Sequence, residues 1–277
     1  MLITKPKKSP SRLSVNEPAD TIEIKKVADV TTRRSYLFYG RAGTGKTTLS
    51  STFPGPRLLL DINDKGTDSI SDTDTDVIEV QSWSKIEAIY WDMKENPERY
   101  SSYQSIIIDT VTQMQTLCIE DILKRKKKDA TRAGDWGVMT KREWGDVSQT
   151  MKSWIINYRD LPKTIVFLAQ DRVSKDGDEE QENEELVMPE IGPSLSPAIA
   201  KTLCAAVSVI GNTFIRRKVT VREVDGKEVR KEKIQYCLRV GPHPICLTKL
   251  RKPKSVGVPS LIVDPNYQDL LNLIKGE

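Results

Sequence analysis

The chain has 277 residues with 38% hydrophobic and 30% charged residues, enough for one large α/β domain or two small ones, and no apolar run approaches the ~20 residues needed to span a bilayer. A formal net charge of +4 is spread unevenly: residues 213–254 hold thirteen Lys and Arg against four Asp and Glu, which leaves the remainder net negative by about five. A single histidine, His243, and four scattered cysteines without a CxxC pair argue against a Ser-His-Asp triad, an HExxH site or a structural zinc site built from Cys204, Cys237, His243 and Cys246.

Residues 1–20 carry Pro6, Pro10, Pro18 and several Ser, with four cations before the first acid, and read as a disordered basic arm without the apolar run of a secretory signal. Ile22-Glu23-Ile24 alternates like a short edge strand. Ser35–Tyr39 is an apolar strand running straight into Gly40, and a helix follows from Lys46 to the Phe53-Pro54-Gly55-Pro56 breaker. Arg57–Asp61 and Asp76–Val80 read as buried strands, and Ser84 is placed to cap a helix whose Ile86, Ile89, Tyr90 and Met93 share one face. Tyr103–Asp109 is a further strand, followed by a long helix reaching the cluster Lys124-Arg125-Lys126-Lys127-Lys128.

A polar connection through Ala133–Gly137 leads to a helix over Trp144–Tyr158 and then to the apolar strand Thr164–Gln170. Asp171–Glu185 reads as a polar loop, Ser196-Pro197 as a helix start, and Ala205–Ile210 as another strand. Phe214–Val224 and Lys227–Val240 flank Asp225-Gly226, a strong hairpin signal, and Ile245–Leu250 is a last strand. Apolar strands alternating with helices predict a mainly parallel sheet covered by helices, with an antiparallel extension at the C-terminus. The expected division is a basic arm over 1–20, a core over 21–212 and a hairpin extension over 213–277.

The run Gly40-Arg41-Ala42-Gly43-Thr44-Gly45-Lys46-Thr47 fits G-x-x-x-x-G-K-[ST] between a strand and a helix, the context that the phosphate-binding loop requires. Glycines let backbone N–H groups turn inward around phosphate oxygens; Lys46 is expected at the β- and γ-phosphates of ATP, the Thr47 hydroxyl on Mg²⁺, and Thr48 on the α-phosphate side. Asp109, ending an apolar strand about sixty residues later, is the expected second Mg²⁺ residue. Ligands of parallel sheets collect at the carboxyl ends of strands, so Asp64, with Asp61 in reserve, is the candidate for orienting the attacking water. Gln170 at the end of its strand is placed to sense the γ-phosphate.

With these motifs in this order, the chain resembles the RecA/RadA core and, more narrowly, phage-encoded RecA-like ATPases described as AAA-domain ATP-binding proteins, some of which are single-strand annealing proteins of recombination modules. Asn63–Ser69, Trp144-Gly145-Asp146, Gly211–Phe214 and Gly241–Pro244 carry the narrower resemblance, which spans roughly residues 33–265. It implies a DNA-stimulated ATPase of the bacterial host cytoplasm, acting as a homo-oligomer on single-stranded DNA, with a phage single-strand-binding protein as a further partner. Lys124, Arg125, Lys126, Lys127 and Lys128 would begin a DNA-facing loop, and a second would follow Gln170, although its seven acids between Asp176 and Glu185 oppose phosphate binding. Lys249, Arg251 and Lys252 would reach the neighbour's ATP. A nucleotide-dependent switch without DNA contact and a DNA packaging motor are the alternatives.

Overall fold

A computed structural model describes residues 34–63, 65–129, 138–175, 189–224 and 227–276. The expected N-terminal arm, the Ile22–Ile24 strand, Asp64 and the Asp225-Gly226 turn lie outside the described residues. In chain order the elements are β1 (Ser35–Tyr39), α1 (Lys46–Ser50), β2 (Arg57–Ile62), β3 (Thr75–Val80), α2 (Trp83–Glu95), β4 (Ser105–Asp109), α3 (Val111–Asp129) and α4 (Lys141–Arg159). Then come β5 (Thr164–Ala169), β6 (Asp171–Lys175), β7 (Pro189–Pro193), α5 (Pro197–Ala206), β8 (Val209–Val224), β9 (Lys227–Arg239), β10 (Lys249–Leu250), β11 (Ile262–Val263) and α6 (Tyr267–Lys275).

The main sheet runs β11-β9-β8-β1-β5-β4-β2-β3, with β10 also on β8. From β3 to β8 every neighbour is parallel; β9, β10 and β11 add antiparallel pairs at one end. This is the mainly parallel α/β architecture expected: the Gly40 loop follows β1, Asp109 ends β4, Gln170 follows β5, and β5 lies between the other two strands.

Alternation along the buried strands sends residues to two cores. Leu37, Tyr39, Ile106, Ile108, Ile165 and Phe167 face α2 to α5. Tyr36, Phe38, Leu59, Ile107, Val166 and Leu168 face Leu49 and Phe53 of the α1 region together with Leu270 and Ile274 of α6. On that second side the Phe53 ring stands 4.8 Å from both Tyr36 and Tyr267, so aromatic edge and face contacts join β1 to α6. α6 is held at its start by reciprocal bonds between Asn266 and Asp269.

Several boundaries differ from the sequence expectation. Ser82, not Ser84, caps α2, because its hydroxyl is the one that accepts from Lys85 N. α4 starts three residues before Trp144, where Thr140 and Glu143 form a capping box; the backbone N–H of Thr140 and then the Lys126 ammonium hold the Glu143 carboxyl down to about 2. Asp171–Lys175 is a strand rather than loop, paired with β7 in a separate two-stranded sheet. The expected strands Ala205–Ile210 and Phe214–Val224 form one sixteen-residue strand, β8, after α5 has continued to Ala206. Within the expected Ile245–Leu250 strand only Lys249 and Leu250 pair with β8, while Cys246 makes an isolated bridge to Ile191. Among the described residues no helix is long and apolar enough to cross a membrane.

Candidate nucleotide site

β1 delivers the loop to the carboxyl edge of the sheet, where Gly40 N bonds Ala169 O on β5. Gly40 is pressed against β8: a Cβ there would lie 2.3 Å from Thr213 O and 2.4 Å from Thr213 Oγ1. Thr213 in turn meets the Thr44 hydroxyl at 2.8 Å, and Thr44 donates to Arg41 O. Gly43 and Gly45 have φ of 76° and 83°, the left-handed region in which a side chain is costly. β8 therefore braces the loop from one side while the glycines turn it.

The Lys46 side chain is buried, and its ammonium bonds Gly40 O and Arg41 O at 2.8 and 2.9 Å, arching back over the loop. A phosphate oxygen at this position offers the ammonium a charge-assisted partner in place of neutral carbonyls. Thr47 donates to Asp109 Oδ2 at 2.8 Å, so the two residues expected around Mg²⁺ meet although 62 positions separate them. A hydroxyl and a carboxylate converging in this way are the hard oxygen donors that Mg²⁺ accepts alongside waters and phosphate oxygens. Arg41, Ala42, Gly43 and Thr48 are exposed.

Asp109 is in register with Asp61 on β2, and both are buried. Asp61 Oδ1 accepts from Lys65 N at 3.1 Å across a turn in which Asn63 and Lys65 have φ of 56° and 51°. Gln170 follows β5 and so stands between the loop and Asp109; its N–H donates to Thr112 Oγ1. Loop residues 42–49, Thr110, Gln170 and Thr213 line one cavity of about 570 Å³, together with Tyr236, Asp264 and Pro265. Thr213 and Tyr236 were not singled out by residue in the sequence. Thr213 belongs to the stretch Gly211–Phe214, and Tyr236 reads there only as one aromatic residue of a hairpin.

The expected trans-acting and DNA-facing residues are not gathered in this cavity. Lys249 is committed within the chain: its ammonium bonds Cys204 O, Ala205 O and Val207 O at the end of α5. A side chain capping a helix in this way has its donors in use within its own chain. Burial, then the nearby Arg251, lowers its pKa. Lys252 bonds Pro253 O, and Arg251 is exposed. In the α3 cluster, Lys124 pairs with Glu120, Arg125 with Asp121 and Lys126 with Glu143, at 3.7, 3.0 and 2.9 Å. Lys127 also has a partner, and the side chain of Lys128 lies outside the described residues. His243 Nδ1 accepts from the N–H groups of Ile245 and Cys246 at 3.2 and 3.0 Å, which makes it the hub of a turn.

A family model described as an AAA domain matches residues 32–250. Among solved structures, the chain is similar to the flagellar accessory protein FlaH from Methanocaldococcus jannaschii, at 11% identity and a TM-score of 0.37, covering 84% of this chain and 89% of that one. No curated protein matches the chain. Because the family match takes in the loop, Thr47, Asp61, Asp109, Gln170 and the strands that carry them, this chain belongs to the AAA-domain family of P-loop ATPases.

Proposed function

We propose that this protein binds and hydrolyses ATP with Mg²⁺ and acts on single-stranded DNA in phage recombination, annealing or repair, in the bacterial host cytoplasm. Lys46 holds the β- and γ-phosphates, and Thr47 and Asp109 hold Mg²⁺, which would neutralise charge on the transferring phosphoryl group. Asp64, with Asp61 beside Asp109 as the reserve, orients the attacking water. Gln170 senses the γ-phosphate and passes its state to the β6 segment.

The observation that carries the DNA reading is the ribbon formed by β8 and β9. Beyond the sheet edge, Lys218 stands directly opposite Lys233, both exposed, and Arg216 lies two residues along on the same face. Like charges directly opposite in a ladder destabilise it, and a polyanion lying on that face offsets the cost. The internal pairing of Lys124, Arg125 and Lys126 shifts weight from α3 to this ribbon. The same pairing favours the second reading, a nucleotide-dependent switch without DNA contact.

Binding of a fluorescent oligonucleotide across a salt series separates the two. The DNA reading expects affinity to fall steeply with salt. Lys218→Ala with Lys233→Ala should flatten the log–log slope by about 1.4, at roughly 0.7 per lost phosphate contact on single strands. Binding that ignores both salt and these substitutions, or no binding with or without ATP, supports the switch. We further propose a homo-oligomer in which Arg251 reaches the neighbouring ATP, and a phage single-strand-binding protein as an additional partner.

A further inference from the structure

Two chemically different groups flank the loop on opposite sides of β1. Thr47 lines the cavity and meets Asp109, which is on β4, two strands from β1. Tyr236, Asp264 and Pro265 also line it; Tyr236 is on β9, two strands from β1 in the opposite direction. A nucleotide whose terminal phosphates lie toward Thr47 must extend its nucleoside the other way, across Gly45 and toward Tyr236. The ring is already seated there: its Cδ1 would lie 3.3 Å from a Cβ on Gly45, the last glycine of the loop. It is 46% exposed although it borders a cavity, so one aromatic surface is open to a ligand. Asp264 N donates to Tyr236 O at 2.7 Å, which ties the two backbones together, and both residues line the cavity. A carboxylate at this end repels phosphate and accepts a hydrogen bond, so it suits a base bearing an N–H donor.

We propose that Tyr236 and Asp264 form the base-binding end of the cavity, with the Tyr236 ring stacking on a purine and the Asp264 carboxylate accepting from its exocyclic amino group. This rests on the phosphate-loop reading of Gly40–Thr47 and adds to it the residues that hold and select the base. Stacking supplies affinity for any flat base, because every base has a π-face. Asp264 supplies the preference, because a base without an N–H donor leaves the carboxylate without its hydrogen bond. Tyr236 also lies on the ribbon that carries Lys218 and Lys233, so base occupancy and the basic face share one pair of strands.

Three ligands separate the parts: ATP, purine riboside triphosphate, which lacks the amino group, and inorganic tripolyphosphate, which lacks the nucleoside. Binding is measured with Mg²⁺ by calorimetry. Tyr236→Ala should weaken ATP on the order of 10- to 100-fold and leave tripolyphosphate unchanged, while Tyr236→Phe stays near wild type. Asp264→Ala should erase the wild-type preference for ATP over purine riboside triphosphate. Equal losses of ATP and tripolyphosphate in Tyr236→Ala, or an undiminished ATP preference in Asp264→Ala, would overturn the base platform and leave the loop intact. Failure of the wild type to bind tripolyphosphate would instead overturn the loop reading, and the base platform with it.

Discussion

Gly40→Ala tests whether β8 braces the phosphate loop, because the new methyl group would sit 2.3 Å from Thr213 O and 3.0 Å from Thr44 Oγ1. Ordinary non-bonded contact is about 3.5 Å, so the overlap with the carbonyl is roughly an ångström. That carbonyl belongs to β8 beside the register pair Tyr39 and Asn212, and it can retreat only if the strands separate. Overpacking costs about 1–3 kcal/mol where side chains can adjust; a fixed carbonyl places this substitution at or above about 3 kcal/mol. At about 2–4 °C per kcal/mol for a chain of this size, the midpoint should fall by about 6–12 °C.

Gly43→Ala is the control: its φ is 76° and nothing lies within 4 Å of the added Cβ. It carries only the left-handed penalty of about 1–2 kcal/mol, or about 2–8 °C. Thermal melts of both variants, and of Gly40→Ala combined with Thr213→Ala, separate the terms. The double variant removes the Oγ1 contact and keeps the carbonyl contact, so it should recover only part of the loss. A Gly40→Ala protein that melts like wild type, or no lower than Gly43→Ala, would refute the bracing of the loop by β8.

Thr47→Ala and Asp109→Ala should each raise the Mg²⁺ concentration needed for half-maximal ATPase activity; an unchanged Mg²⁺ titration removes that residue from the metal site. Lys249→Met leaves the carbonyls at the end of α5 without their partner and should cost about 1–3 kcal/mol in a denaturant melt, whereas an unchanged melt would show that the cap is unimportant. Arg251→Ala subunits mixed with Lys46→Ala subunits should regain part of the ATPase activity that each lacks, and no regain would remove Arg251 from a shared site. Burial, and then Arg239, lowers the pKa of His243 below its ordinary value near 6.5. With the folded value depressed, the stabilisation is full above about pH 6.5 and is lost as pH falls through the folded pKa. His243→Asn should therefore lose less stability than wild type on going from neutral to acid pH, measured as the difference between the two melting profiles.

The phosphate loop and its strands were legible because every local signal agreed: an apolar strand, glycines at the turn, a Lys-Thr helix start, and a second apolar strand ending in Asp109. What escaped the sequence depended on contacts between distant segments. Gly211-Asn212 reads as a break between strands, yet Gly211 lies inside β8; its missing side chain makes room for Leu238, whose Cδ1 would lie 2.7 Å from a Cβ there. β6 was hidden because Asp171–Lys175 has no apolar alternation of its own and is strand only through its pairing with β7. Tyr236 became a cavity residue only when β9 folded back along β8 and carried it over Gly45. Lys249 looked like a free cation because nothing in its neighbourhood in the chain reveals the end of α5, some forty-five residues earlier.

ATP turnover at saturating Mg²⁺, measured for the wild type and for Lys46→Ala beside ATP binding by the same proteins, tests the nucleotide site most directly. The ammonium that arches over the loop is the group placed to meet the β- and γ-phosphates, so the substitution should abolish binding or turnover. Wild-type affinity together with wild-type turnover in Lys46→Ala would contradict the assignment of Gly40–Thr47 as the phosphate-binding loop.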